Sequence, residues 1–401
     1  MTSFQDAVKA AGITKPEDFL PDAWHETQSR YPGDPTPFLE EAFLADAIRY
    51  VRLPDEIGGE VLAAAAEFRK RPEICRLLWH CHTLLFQPPQ RDLYPHWTCP
   101  GLADRAGMFQ VFALLSGLPR LRAMYAKRGI PDDVAAHTMS DIEIWMRVHH
   151  GNTGHWGLDE LGWLTLHFSG NLLRLGRLQF MHIKWHGGVR IFRHRPSGRV
   201  VLLAEPGTLF RADGNIDGSN GIHDEKGRWT AVLERSGGVI RGNPISEDVL
   251  AIREPVDLPE AEWMEALHKG DPVLDMHIPA GEPLAEGACR ESFRRALEFW
   301  PRHFPELPPT KGFVIHAWLL EPGLRRILPP TANLVKFQML FHSYPAWGDE
   351  EGVMNRIFGD KRPDLSHSPR SDTLRAAVKA FHDAGNRFNG GAGGVLKEHL
   401  R

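Results

Sequence analysis

In the first 150 residues apolar side chains recur at helical spacing and almost never alternate with period two. Within 38–51, Leu39, Phe43, Ala47 and Val51 form a stripe of every fourth residue that stops before Pro54. The stretch 55–70 continues with Ile57, Val61, Leu62, Ala65 and Phe68 before Pro72. Segments 73–86 and 107–116 are apolar around more of their circumference. The segment 132–148 opens on Asp132 and Asp133, carboxylates that complement the positive end of a helix, and carries Val134, Met139 and Ile142. This pattern predicts an all-helical domain over 1–150.

Beyond Gly157 the period changes. Residues 158–174 keep helical spacing, and 175–185 then alternates Leu178, Phe180 and Ile183 with Arg177, Gln179 and His182. Strands are expected at 188–192 and 199–204, turn and loop at 207–227, and a hairpin from 229–233 and 238–240. A helix is expected at 260–269, an apolar strand at 272–278, and a helix at 286–300 with Cys289, Phe293, Ala296 and Leu297 on one stripe. Another strand at 313–320 precedes a short helix at 321–328, and 332–341 satisfies both periods. The tail 388–394, FNGGAGG, has no preceding strand and no lysine at phosphate-loop spacing, so it reads as a flexible linker. The expected class is α+β: a helical domain 1–150, a mixed-sheet domain flanked by helices at 151–345, and a helical extension at 346–401.

Charge narrows the partners. The 47 lysines and arginines against 51 acidic residues give a net charge of −4, so no global positive field exists to hold a nucleic acid. Apolar runs such as 111–115 are far short of a membrane span, and the N-terminus has no basic segment leading into an apolar one. A soluble, cytoplasmic protein with no membrane partner is the expectation. Four cysteines do not make a disulfide framework. His80 and His82 flank Cys81, but on a helix the two rings point about 200° apart and cannot chelate together, so no metal is predicted. The 21 histidines and 12 tryptophans suggest clefts lined by polar-tipped rings without locating one.

The order strand, loop, helix, strand, helix from 272 onward resembles the GNAT superfamily of acyl-CoA-dependent acyltransferases. More specifically, the chain is similar to a bacterial acyltransferase family with a helical N-terminal domain and a GNAT-like C-terminal domain. The strings that carry this are LGRLQF (175–180), KGDPVLDMHIPAGEPL (269–284), ESFRRALEFWPRHFP (291–305), HAWLLEP (316–322) and NLVKFQMLF (333–341). The resemblance implies an N-acyltransferase that passes an acyl group from acyl-CoA, its co-substrate, to an amine of a small molecule. The alternative is a non-catalytic ligand-binding or scaffold protein that keeps the GNAT-like fold.

In the superfamily the loop after the fourth strand holds the CoA pyrophosphate. A helix N-terminus suits that task because its first N–H groups are unpaired and carry partial positive charge. The superfamily's loop reads Gln/Arg-x-x-Gly-x-Gly/Ala; aligned on Gly287, this chain has Leu284 in the basic or amide position and Cys289 in the last small one. Glu286 adds a negative charge beside the phosphates. Either Gly281 and Gly287 receive the pyrophosphate in an altered loop, with Ile278, Ala288 and Cys289 beside it, or the phosphates are held elsewhere.

Amide formation needs a base for one proton, a donor for the oxyanion and a departing thiolate. His277 ends the strand in LDMHIPAG and is the expected base; His316, in FVIHAWLL, is its competitor, and each is otherwise a core histidine bonded to backbone. Cys289 reads as a nucleophile at a helix start or as a small packing residue. Arg177 and Gln179 share a strand face and are expected to hold a carboxylate or amide of the acceptor, or to line a solvated face. Trp318 joins them as a substrate contact, two residues beyond His316. Asn333 either caps the helix after it or touches pantetheine.

Overall fold

The computed structural model describes residues 2–34, 36–88, 93–365 and 373–400, and the chain forms two compact units, Met1–Leu175 and Gly176–Arg401. The first is helical, with its longest elements at Glu41–Val51, Asp55–Phe68, Pro72–Phe86, Ala106–Leu115 and Asp132–Thr153. Pro72–Phe86 and Ala106–Leu115 bury most of their circumference, which is why neither shows a narrow stripe. His80 belongs to that core: Nδ1 lies 2.7 Å from Thr27 Oγ1 and Nε2 2.6 Å from the Phe19 carbonyl.

The helical unit does not stop at 150. Asp132–Thr153 runs through that position and ends at Gly154, whose φ of +78° is left-handed. The chain then returns to the core, where Gly157 passes so close to Gly107 that an added Cβ would sit 2.5 Å from the Gly107 Cα. The helix Leu161–Phe168 buries Leu161, Leu164 and Phe168. Gly154 and Gly157 therefore mark a tight return of the chain.

The second unit is built on a sheet with strand order Leu178–Lys184, Pro272–His277, Gly312–His316, Gly391–Leu396, His342–Pro345. Pro272–His277 runs antiparallel to Leu178–Lys184 along its whole length and parallel to Gly312–His316. The helix Glu286–His303 covers one face, with the Phe180, Phe293 and Phe313 rings 4.8–6.2 Å apart. The other face, including Trp185, Val273, Val314 and Tyr344, packs on Ile191, Leu202 and Leu267 of a second sheet, ordered Trp263–Leu267, Val189–His194, Val200–Ala204. A third sheet contains the hairpin Leu233–Ser236 and Val239–Gly242, turned by Gly237 and Gly238 at φ +58° and +79°.

Several expectations are corrected here. Residues 263–267 are a strand and not part of a helix over 260–269. The strand expected at 313–320 ends at His316 and passes into a 3₁₀ turn, Trp318–Leu320. Residues 346–401 contain the helices Glu350–Phe358 and Thr373–Asp383 but are no helical extension, since Gly391–Leu396 is an inner strand of the sheet. The linker expected at 388–394 is thus largely this buried strand. Its glycines are there for close packing: an added Cβ at Gly391 would lie 2.2 Å from the Leu320 carbonyl oxygen.

Candidate functional site

The two parallel strands Pro272–His277 and Gly312–His316 pair at only two positions, Leu274 with Phe313 and Asp275 with Val314. The ladder ends there although both strands run further. His277 and His316 lie beyond the last pair, and by the two-residue pleat both share the face of Asp275 and Val314. The structure thus brings the two expected histidines to the open end of one strand pair.

Their surroundings differ. His277 is about a quarter exposed, and its Nε2 lies 3.3 Å from Asp275 Oδ2. Its register partner across the antiparallel ladder is Gln179, which is buried with Nε2 lacking a hydrogen-bond partner among the described residues. His316 is exposed and holds its Nε2 3.1 Å from the Trp347 carbonyl oxygen. Beside it opens a cleft of about 220 Å³ on the same sheet face, lined by Asp275, His316, Trp185, Tyr344 and Trp347 among others. Burial pushes the Tyr344 hydroxyl up to about 12, so it stays neutral and Asp275 is the one carboxylate of the lining among the described residues. A larger depression of about 510 Å³ near Glu350, Arg362 and Asp383 contains none of the expected site residues.

After His277 the chain passes through Ile278 and the loop to the helix Glu286–His303. Arg177 organises this loop. It is buried, and its guanidinium donates to the carbonyls of Pro279 at 2.9 Å and Pro283 at 3.3 Å. This replaces the expectation that Arg177 binds an acceptor carboxylate, because two of its donors serve the backbone. Gly281 adopts φ +114° and is exposed, and an added Cβ at Gly281 or Gly287 would meet nothing within 4 Å.

The helix start is open. Its N-cap, Ala285, supplies no side-chain acceptor, and the Cys289 N–H donates to the Ala285 carbonyl at 3.0 Å. The N–H groups of Glu286, Gly287 and Ala288 precede that first turn and point out of the helix end. Glu286 turns its carboxylate to Arg290, 2.9 Å away, which offsets the charge that made the loop look unsuited to phosphate. Cys289 itself is buried with its N–H used, and burial pushes its thiol up to about 11, which leaves it neither a phosphate contact nor a nucleophile.

Trp318 and Asn333 lie elsewhere. Trp318 packs against a small core containing Leu324, Val335 and Phe388. Asn333 is exposed at the first position of the helix Asn333–Gln338, whose N-cap is Ala332, and caps nothing with its side chain. Asp275, Tyr344 and Trp347 carry the cleft and escaped sequence reasoning. Asp275 alone had a usable signal, being two residues from His277 on one strand face.

A parallel strand pair that parts at its C-terminal end, followed by a loop and an uncapped helix, is the arrangement of a GNAT-like domain. Residues 172–396 match the family described as GNAT-like C-terminal domain, and 42–170 match the N-acyltransferase N-terminal domain. The chain belongs to this GNAT-like family. Solved structures with the same fold include an acyltransferase in complex with decanoyl-CoA (TM-score 0.68) and an acyltransferase mutant in complex with octanoyl-CoA (TM-score 0.67). A third is an acyltransferase in complex with CoA and 10C-Teicoplanin (TM-score 0.68). Each is 20% identical and aligns over 98% of this chain and 99% of its own. No curated protein matches. Among the described residues no helix is long and apolar enough to cross a membrane, and no three His, Cys, Asp or Glu side chains gather as a metal site.

Proposed function

We propose that the protein is an acyl-CoA-dependent N-acyltransferase acting on an amine of a small molecule. The observation that carries this reading is the parting of Pro272–His277 from Gly312–His316 after two paired positions, with a histidine beyond the break on each strand. Pantetheine enters that gap, and its unpaired strand edges offer backbone groups to the pantetheine amides. The CoA diphosphate sits against the N–H groups of Glu286, Gly287 and Ala288, with Gly281 and Gly287 leaving room for the phosphates. Because the structural neighbours bind octanoyl- and decanoyl-CoA, a medium-chain thioester is the donor to try first.

His277 acts as base. The amine nitrogen attacks the thioester carbonyl carbon, the imidazole takes a proton from nitrogen, and the carbon–sulfur bond breaks to release CoA thiolate. Asp275 Oδ2 lies 3.3 Å from the Nε2 that takes the proton. His316, tethered to the Trp347 carbonyl, lines the acceptor side. The alternative of a non-catalytic binding protein rested on the altered loop. The Arg290 contact to Glu286 and the open helix end weaken it.

The test is turnover of octanoyl-CoA with a panel of primary amines, followed by thiol release. His277→Ala should lower turnover about a hundredfold or more while octanoyl-CoA still binds. Loss in His316→Ala with full activity in His277→Ala would exchange the two roles. Full activity in both variants would remove the histidines from the chemistry.

A further inference from the structure

The cleft beside the parted strands holds a carboxylate that a CoA thioester does not use. Its walls are largely apolar and aromatic, from Trp185, Tyr344 and Trp347, with the imidazoles of His186 and His316 beside them, and among the described residues Asp275 is the single carboxylate in the lining. Trp347 is 60% exposed at the rim, a large ring left open to solvent. Asp275 is itself about one-fifth exposed, so its charge is accessible yet partly desolvated. A carboxylate among aromatic faces is the chemistry that selects an ammonium carried on an apolar body: the charge pairs with Asp275, and ring faces attract cations as well.

Resting on the reading of the protein as an N-acyltransferase, we infer that this cleft is the acceptor subsite, that it takes a primary amine with an aromatic or apolar body, and that Asp275 receives the ammonium. The placement couples binding to reaction. An ammonium on Asp275 lies close to His277 Nε2, itself 3.3 Å from Asp275 Oδ2, and gives up one proton to solvent before its nitrogen attacks, which leaves the imidazole neutral for the proton released on attack. The second proton leaves nitrogen after attack and ends on the CoA thiolate. An alcohol of the same shape has no charge for Asp275, and an amino acid would bring its own carboxylate against it.

The experiment compares 2-phenylethylamine with 2-phenylethanol on the full chain by calorimetry, with octanoyl-CoA affinity measured separately. The wild-type protein should bind the amine at least about tenfold more tightly than the alcohol, roughly what one hydrogen-bonded charge contributes. Asp275→Asn should erase that preference and change octanoyl-CoA affinity less than about twofold. Trp347→Ala should weaken 2-phenylethylamine several-fold and leave ethylamine unchanged. Equal binding of amine and alcohol by the wild-type protein, or an intact preference in Asp275→Asn, overturns the proposal. If Asp275→Asn does not fold, the wild-type comparison alone decides. Amine preference without octanoyl-CoA binding would sink the donor reading and leave this subsite standing. Octanoyl-CoA binding without amine preference would do the reverse.

Discussion

Two glycine-bearing segments of the second unit look alike in sequence and do opposite things. In 279–288, Gly281 and Gly287 face open space, and a Cβ added at either would meet nothing within 4 Å. In 391–394, Gly391 and Gly393 face packed atoms: the Leu320 carbonyl at 2.2 Å from one built Cβ, the Leu320 Cδ1 at 2.7 Å from the other. Glycine in the first borders open space; in the second it leaves room for the protein's own packed atoms. The distinction is one of what occupies the missing side chain's volume, and composition does not carry it.

The closed segment should be the more fragile. Gly391→Val drives a branched side chain into backbone that cannot rotate away, and overpacking of that kind costs roughly 3 kcal/mol. A thermal midpoint lower by on the order of 10 °C is expected for a unit of this size. An unchanged midpoint would mean that the segment yields as easily as the open loop.

This contrast also explains what was legible in the chain. The helices of the first unit were, because a core-facing stripe at helical spacing needs no knowledge of the partner surface. The strand Gly391–Leu396 was hidden because all six residues are buried, so nothing polar alternates, and its glycines offer no side chain to read. Residues 263–267 misled for another reason. Trp263 and Leu267 are buried four apart with only half-buried residues between them, a spacing that a helix shares. At the candidate site His277 and His316 stood out as polar rings in apolar strands. Tyr344 and Trp347 did not, since they join the cleft through a strand whose neighbour was taken for a linker. Arg177 was seen as a ligand-binding cation, and only the fold supplies the Pro279 and Pro283 carbonyls that engage it.

A smaller effect probes how the closed segment is tethered. Glu321 is buried and accepts hydrogen bonds from the N–H groups of Gly323 at 3.1 Å, Asn389 at 2.7 Å and Gly390 at 2.8 Å, which lead into the strand. Burial pushes its carboxyl from the ordinary 4.5 up to about 7, with Arg326 opposing and Glu350 adding to the shift. The native state therefore holds this proton more tightly than the unfolded chain does. Glu321 contributes stability that is fully present below about pH 4.5 and lost as the pH rises through about 7. In urea titrations at pH 5 and pH 8, the wild-type protein should lose more stability across the interval than Glu321→Gln. Equal pH dependence in the two would place the Glu321 carboxyl in its ordinary range.

The open loop gives the sharpest test. Gly287→Trp starts from a Cβ position with no protein atom within 4 Å, and it replaces a poor helix former near the start of Glu286–His303. Affinity for octanoyl-CoA measured beside the thermal midpoint separates ligand room from packing room in one variant. The account predicts that affinity falls by about tenfold or more, from N–H contacts worth about 1 kcal/mol each, while the midpoint stays the same or rises slightly. Full affinity with a normal midpoint would contradict it and move the diphosphate away from this helix end.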